Sequence, residues 1–262
     1  MSKTLGLALG SGGSRGIAHV GFLQALEEEG IKPDYIAGCS MGAVVGGCYA
    51  GGMTIEEIRK IALKLKKRDI IDVSPSITQM SLLRGKKMRD LLVKHVKVKN
   101  LEDFPIPFKC VATELLEGKL HVFESGEAAL AIQASSSIPA VFRPVRIENK
   151  LFVDGGCLCR VPVKVVKDMG ADVVVAVDVL KNCSDTVEKL GNILDMGLRV
   201  FDVMDTHMTS LLKQRDSGLC DLWLEPEMKG MSQYVIKDLD RAYEEGYEIG
   251  KANVQKIKEL LV

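Results

Sequence analysis

Apolar and polar positions along this chain alternate between two rhythms. Thr4 to Leu9, Asp34 to Cys39 and Asp172 to Val179 are short, near-continuous apolar runs, the pattern of strands buried on both faces. Between them the spacing becomes helical: Ile17, Val20, Leu23 and Leu26 recur at three-residue steps up to a stop at Gly30, and Met41 to Ala50 reads as a helix of small residues. Thr54 and Glu57 form a capping box for a helix through Lys66. Lys86 to His95 and Glu127 to Ser135 read as further helices, Phe108 to Glu114 and Lys119 to Phe123 as strands joined at Glu117-Gly118. Pro144 to Glu148 and Leu151 to Gly156 predict a hairpin turning at Asn149-Lys150. Pro162 opens a helix that Gly170 stops, Thr186 to Gln214 is helical, Leu219 to Leu224 is a short strand, and Tyr234 to Leu261 gives one or two charged amphipathic helices. This alternation predicts one three-layer α/β/α domain over residues 1–262 with a mainly parallel central sheet. Its longest break, residues 67–100, is irregular as far as Gly85 and is expected to act as a cover segment.

Composition and charge narrow the picture. Met1-Ser2-Lys3 leads straight into an apolar strand, and no apolar run approaches the roughly 20 residues that span a bilayer, so the expected location is the cytoplasm. Seven cysteines, with Cys39, Cys48, Cys110 and Cys220 in apolar surroundings, suit reduced core thiols better than a disulfide framework. Cys157-Leu158-Cys159 lacks a second pair at zinc spacing, so no metal is assigned. Net charge is zero, yet 13 Lys/Arg stand against three Asp between Arg59 and Lys99. That stretch is either a set of solvated helix faces or a surface drawn to an anionic membrane, which would place the protein peripherally at the bilayer. Nucleic acid is not expected, because no aromatic residue punctuates the basic stretch to stack on bases.

The candidate chemistry begins at Gly38-Cys39-Ser40-Met41-Gly42, where a buried strand turns into a helix. Such a turn holds its serine in strained geometry, and glycines two positions before and after remove colliding Cβ atoms. The hydroxyl is then presented at a helix N-terminus that favours developing negative charge. The pattern alone also fits an ordinary strand-to-helix turn. A second glycine-rich turn, Gly10-Ser11-Gly12-Gly13-Ser14-Arg15-Gly16, follows the first strand and could gather backbone N–H groups on an anion. It lacks the Gly-Lys-Ser/Thr end of a P-loop, and Arg15 stands where a dinucleotide fingerprint wants its third glycine. An oxyanion hole beside Ser40 suits it better.

A serine nucleophile needs a proton acceptor. Of the four histidines, His19 lies in the helix after the glycine loop, His95 ends a basic helix and His121 sits on a hairpin strand expected to face solvent. His207 alone follows Asp154, as a Ser, Asp, His order requires, but in a long helix rather than a loop. Asp154, at a strand end before Gly155-Gly156, is the other choice, provided a dry pocket and an oxyanion hole compensate for a feeble base.

Four ordered blocks carry a resemblance: Leu9 to His19, Gly38 to Ala43, Ala134-Ser135-Ser136-Ser137-Ile138-Pro139-Ala140, and Asp154-Gly155-Gly156. Together they resemble the motif blocks of the patatin-like phospholipases, over roughly residues 4 to 180. The resemblance implies a patatin-like fold and a Ser-Asp dyad acting on acyl-ester lipids without metal or cofactor. Ser40 would be nucleophile and Asp154 general base, with the Gly12, Gly13 and Ser14 amides as oxyanion hole. Arg15 and Gly16 would support the loop, and Gly38 and Gly42 would frame the nucleophile turn. One departure is Ser11, where the family's block usually has a further glycine. Apolar residues of the cover, Met80, Leu82, Leu83 and Met88, are expected either to line an acyl groove or to be ordinary core. Two other classes stay open: a regulatory lipid- or partner-binding protein on the same scaffold, and a nucleotide-binding enzyme using the glycine loop.

Overall fold

The computed structural model describes residues 3–73, 81–180 and 191–262. Strand β1 (Leu5–Leu9) runs through a 3₁₀ turn (Gly13–Ile17) into α1 (Ala18–Glu28), and β2 (Tyr35–Cys39) runs through Ser40 into α2 (Met41–Ala50). Next come α3 (Ile55–Lys64), α4 (Lys67–Ile70), β3 (Ser81–Leu83) and α5 (Lys86–His95), then β4 (Phe108–Glu114), β5 (Lys119–Phe123), α6 (Ala128–Ser135) and β6 (Ala140–Phe142). The chain closes with β7 (Val145–Ile147), β8 (Lys150–Asp154), α7 (Val163–Asp168), β9 (Val173–Val177), α8 (Ile193–Arg215), β10 (Leu222–Leu224) and α9 (Leu239–Leu260).

Strands β10, β9, β1, β2 and β4 lie side by side in that order and are parallel. Strands β5 and β8 both pair antiparallel with β4, and β7 pairs with β8. Side chains of the parallel strands alternate between two buried faces. Leu5, Leu7 and Leu9 of β1, with Val173, Val175 and Val177 of β9, enter the large core under α1, α2 and α9. Gly6, Ala8 and Ala176 face the other way, where α7 packs close; a Cβ on Gly6 would stand 2.7 Å from Val166. Burial on both faces makes the sheet the middle layer of a three-layer α/β/α sandwich, with Gly6 and Ala8 of β1 admitting α7 closely.

Helix α9 returns to the start of the chain and lies along α1. Backbones meet there: a Cβ on Gly246 would fall 1.9 Å from the Ala18 carbonyl, and one on Gly21 would fall 2.0 Å from the Tyr243 carbonyl. Outside this seam Lys251 and Lys258 both pair with Glu29, at 2.8 and 2.9 Å.

The capping box is present: Thr54 Oγ1 accepts the Glu57 N–H and Glu57 Oε2 accepts the Thr54 N–H at 2.8 Å, though the helix stops at Lys64 rather than Lys66. The hairpin turns at Glu148-Asn149, one residue earlier than expected, because Ile147 pairs with Lys150 and Glu148 takes a φ of 53°. His121 is half-buried rather than facing solvent, its ring against Phe123 and Phe152 at 4.5 and 5.0 Å.

The described parts of the expected cover, residues 67–73 and 81–100, hold more regular structure than the sequence suggests. The two three-residue strands β3 and β6 pair parallel as a separate small sheet, too short to leave a hydrophobic period. The α5 N-terminus is capped from 13 residues away, with Asp72 Oδ1 accepting the Gly85 N–H and Oδ2 accepting that of Lys86. Part of the expected cover (Ser74-Pro75-Ser76 and Met80) and the expected helical turn from Thr186 lie outside the described residues; α8 starts after its Asn192 N-cap. No helix among the described residues is long and apolar enough to cross a membrane.

Two alanine substitutions should separate close approach from intrinsic propensity. Gly246→Ala is expected to lower stability by about 2 kcal/mol, since the α1–α9 seam has no room for a methyl. Gly197→Ala, on the open surface of α8 with nothing within 4 Å, should raise it by about 1 kcal/mol. Denaturant midpoints of the two variants check both signs.

Candidate active site

Ser40 occupies a strained backbone position, with φ 52° and ψ −120°, between the end of β2 and the start of α2. Strain of this kind amounts to about 1–3 kcal/mol and persists only where the surroundings over-determine it. Those surroundings are visible. A Cβ on Gly38 would stand 2.6 Å from Ala43 Cα, and one on Gly42 would stand 2.2 Å from the Leu9 carbonyl, so neither could carry a side chain without opening the elbow. The Ser40 N–H donates to Ser135 Oγ at 3.0 Å, and the Ser40 carbonyl accepts the Val44 N–H at 3.0 Å to begin α2.

Asp154 reaches Ser40 through the sheet register. Gly38 and Cys39 of β2 pair with Cys110 and Val111 of β4, while the next residue of β4, Ala112, pairs with Asp154 of β8. Strand β5 takes the opposite edge of β4, pairing with both Cys110 and Ala112. Strands β2 and β8 therefore meet head to head along one edge of β4, and their C-terminal residues are neighbours. Ser40 Oγ donates to Asp154 Oδ2 at 2.6 Å, while Asp154 Oδ1 accepts the Gly156 N–H at 2.8 Å. The Asp154 main chain is fixed as well: its N–H donates to the Ser137 carbonyl and its carbonyl accepts Thr113 Oγ1. The run Ser135-Ser136-Ser137, which has no assigned role in the sequence, thus braces the Ser40 turn through Ser135 and the Asp154 main chain through Ser137.

The glycine loop lies alongside. A Cβ on Gly13, at φ 49°, would fall 2.1 Å from the Gln233 carbonyl, and one on Gly16 would strike Met41. The loop amides are divided in their duties. Ser11 N–H donates to the Arg160 carbonyl and Ser14 N–H to the Gln233 carbonyl, both at 3.0 Å. Gly12 and Gly13 N–H have no partner among the described residues, so the expected three-amide set loses Ser14, which is engaged with Gln233. Arg15 is buried and donates from Nε and Nη2 to the Met231 carbonyl, bracing the loop against the segment that follows β10. His19 does the same from beneath: its Nε2–H donates to the Gly10 carbonyl at 2.8 Å, and complete burial pulls its pKa down to about 4.

Burial dominates the electrostatics of Asp154. It raises the carboxyl from an ordinary value of 3.8 to about 7, against hydrogen bonds from Ser40 and Gly156 that favour the anion; the charge of Asp205 adds to the rise. Asp205 comes from α8 and is held by a group the sequence did not reveal. Buried Arg160 donates from Nη1 to Asp205 and from Nη2 to Asp178, each at 2.8 Å. An arginine inside Cys-Leu-Cys-Arg-Val-Pro gives no periodic signal, and its partners lie 18 and 45 residues away. His207 occupies an exposed position on α8, while the hydrogen bond to Ser40 is made by Asp154.

A cavity of about 20 Å³ opens beside Ser40 and Asp154, walled by Gly12, Gly13, Phe201 and Asp205, enough for about one water molecule. A larger groove of about 420 Å³ runs from Ser40 between α4, β6 and α8, lined mainly by apolar side chains that include Leu83, Met88, Ile138 and Phe142. Leu82, by contrast, points outward, 49% exposed.

Fold and site define an α/β protein whose strained serine is paired with a carboxylate at the end of a neighbouring strand. The chain belongs to the patatin-like phospholipase family, whose model matches residues 7–167. It is 42% identical over 177 residues to an uncharacterized NTE family protein of Mycobacterium tuberculosis, covering 67% of this chain and 49% of that protein. It is 36% identical over 184 residues to lysophospholipase NTE1 of Scheffersomyces stipitis, covering 68% of this chain and 12% of that one. The chain therefore spans about half the length of the mycobacterial relative and a small part of the fungal one. Among solved structures it resembles VipD of Legionella pneumophila with a TM-score of 0.57 at 16% identity, covering 97% of this chain and 67% of that one, a likeness of fold.

Because the Asp154 carboxyl sits near 7, labelling of Ser40 by a fluorophosphonate should rise with pH through about 7, not through about 4. The stability effect has the opposite sign. A carboxyl whose folded pKa is raised contributes stability below its unfolded value and loses that contribution as pH climbs through about 7. Asp154→Asn should therefore melt higher than wild type at pH 8, with the gap closing toward pH 5; thermal melts at the two pH values check it.

Proposed function

We propose that the chain is a serine acyl hydrolase that cleaves carboxylic esters of phospholipids or lysophospholipids with a Ser40-Asp154 dyad. The observation that carries this reading is the 2.6 Å hydrogen bond from a strained serine to a buried carboxylate. Ser40 Oγ attacks the ester carbonyl as Asp154 Oδ2 takes its proton. The carbonyl oxygen gains negative charge and is met by the Gly12 and Gly13 N–H groups and the N-terminus of α2. Collapse of this intermediate expels the alcohol, which recovers the proton from Asp154. Water then attacks the acyl-enzyme, with Asp154 again as base, and frees the acid and Ser40. Burial supports this division of labour: it makes Asp154 a stronger base than an exposed aspartate.

Lipid is the class of substrate favoured by the apolar groove at Ser40. Its rim also supports peripheral contact with an anionic membrane through the basic 59–99 region. Lys67 lines the mouth, Arg68 is exposed beside it, and Ile71, Val73, Met196 and Val200 expose apolar surface on the flanking elements.

Release of fatty acid from a lysophospholipid and a diacyl phospholipid tests the reading. Ser40→Ala and Asp154→Asn should each reduce turnover by on the order of 10³-fold or more, whereas His207→Ala should leave it unchanged. Flotation with vesicles containing phosphatidylserine should recover the protein in a salt-sensitive way. Flotation without any turnover by wild type would favour a regulatory lipid-binding protein on the same scaffold.

A further inference from the structure

A second cavity, of about 120 Å³, lies behind the Ser40 groove, between α2, α3 and α5. Three observations give it a direction. First, it adjoins the groove: Ile17, Met41, Val44, Leu65, Ile70 and Met88 line both. Second, α2 forms a rail from one to the other. Met41, Val44 and Cys48 fall on one face of that helix, and Cys48 lies two turns, about 12 Å, along the axis from Ser40. Third, its lining is apolar throughout, apart from His95 at the end of α5. Well-packed interiors leave few voids larger than a water molecule, and an apolar cavity of this size takes apolar ligands rather than water. Met41, Met53 and Met88 in its wall can adjust to such an occupant.

We infer that this cavity receives the distal part of the substrate's acyl chain, and that the residues closing its far end set the chain length the protein accepts. The inference rests on Ser40 being the acyl-accepting nucleophile, since that fixes the carbonyl end of the chain. From Ser40 the chain passes Met41 and Val44 and ends against Cys48, Ala62 and Leu92. Cys48 of α2, Ala62 of α3 and Leu92 of α5 line this cavity and not the groove at Ser40, which puts them on its side away from the serine.

The test compares p-nitrophenyl butanoate with dodecanoate as substrates, using variants that change only the far end. Ala62→Phe fills the end and should lower the dodecanoate-to-butanoate ratio of kcat/KM at least tenfold. Leu92→Ala deepens it and should raise that ratio. Should Ala62→Phe fail to fold, Ala62→Leu is read in its place. Ratios equal to wild type in the folded variants would overturn the inference, while hydrolysis by wild type and none by Ser40→Ala would leave the dyad reading intact. If no ester is turned over, the dyad reading fails and binding decides the cavity on its own. Saturable binding of the fluorescent fatty acid cis-parinaric acid, weakened at least tenfold by Ala62→Phe, would support it as an apolar-ligand site. Absence of such binding, or binding indifferent to Ala62→Phe, would overturn it.

Discussion

The hydrogen bond between Ser40 and Asp154 requires two strand ends to arrive at one point from opposite directions, and much of the architecture follows from that. A purely parallel sheet would carry all its C-terminal residues to one edge side by side, with a strand spacing of about 4.8 Å between them. Here β4 is shared: its first half pairs with parallel β2, its second half with antiparallel β8, and Val111 and Ala112 hold Cys39 and Asp154 as consecutive partners. The hairpin of β7 and β8 is thus the element that delivers the carboxylate. Since Ser40 and Asp154 are each anchored through the main chain, by Ser135 and by Ser137, the geometry does not depend on flexible side chains alone.

This arrangement stores unfavourable free energy at the site. Ser40 is held at positive φ, Asp154 is withdrawn from water, and Arg160 sits between Asp178 and Asp205 in the interior. Buried ion pairs of this kind are weak stabilisers when intact, but losing one partner leaves an uncompensated charge. Arg160 earns attention because its carbonyl also accepts the Ser11 N–H, so the same residue steadies both α8 and the glycine loop. The large apolar core under α1, α2 and α9 offsets these local penalties, and the α1–α9 seam ties the C-terminal helix to the helix that follows the glycine loop.

Reactive and adaptable parts are built from different material. Ser40, Asp154 and the glycine loop stand on the central sheet and its first helices, where close backbone contacts leave no slack. The walls of the groove come from α4, the two-stranded β3–β6 sheet, α5 and α8, which include the shortest elements and much of the exposed apolar surface. The proposed activity would use both: fixed donors and acceptors at the reacting carbonyl, and apolar walls along the chain.

Much of the fold and the residue types of the site were legible in the sequence. Buried strands, the glycine loop, the serine elbow and the Asp-Gly-Gly turn each leave a local signature, because backbone strain and close approach admit few residues at each position. Ser40 stands out from that local pattern, Asp154 is singled out over His207 by the resemblance of the four ordered blocks, and the structure places the two in contact. What the sequence could not decide was set by contacts distant along the chain. Whether Asp154 or His207 would reach Ser40 depended on strand register, the loss of Ser14 from the free amides on a carbonyl at Gln233, and the capping of α5 on Asp72. Strands of three residues, a buried arginine and a cavity between three helices have no local period to read; only the packed chain brings their parts together.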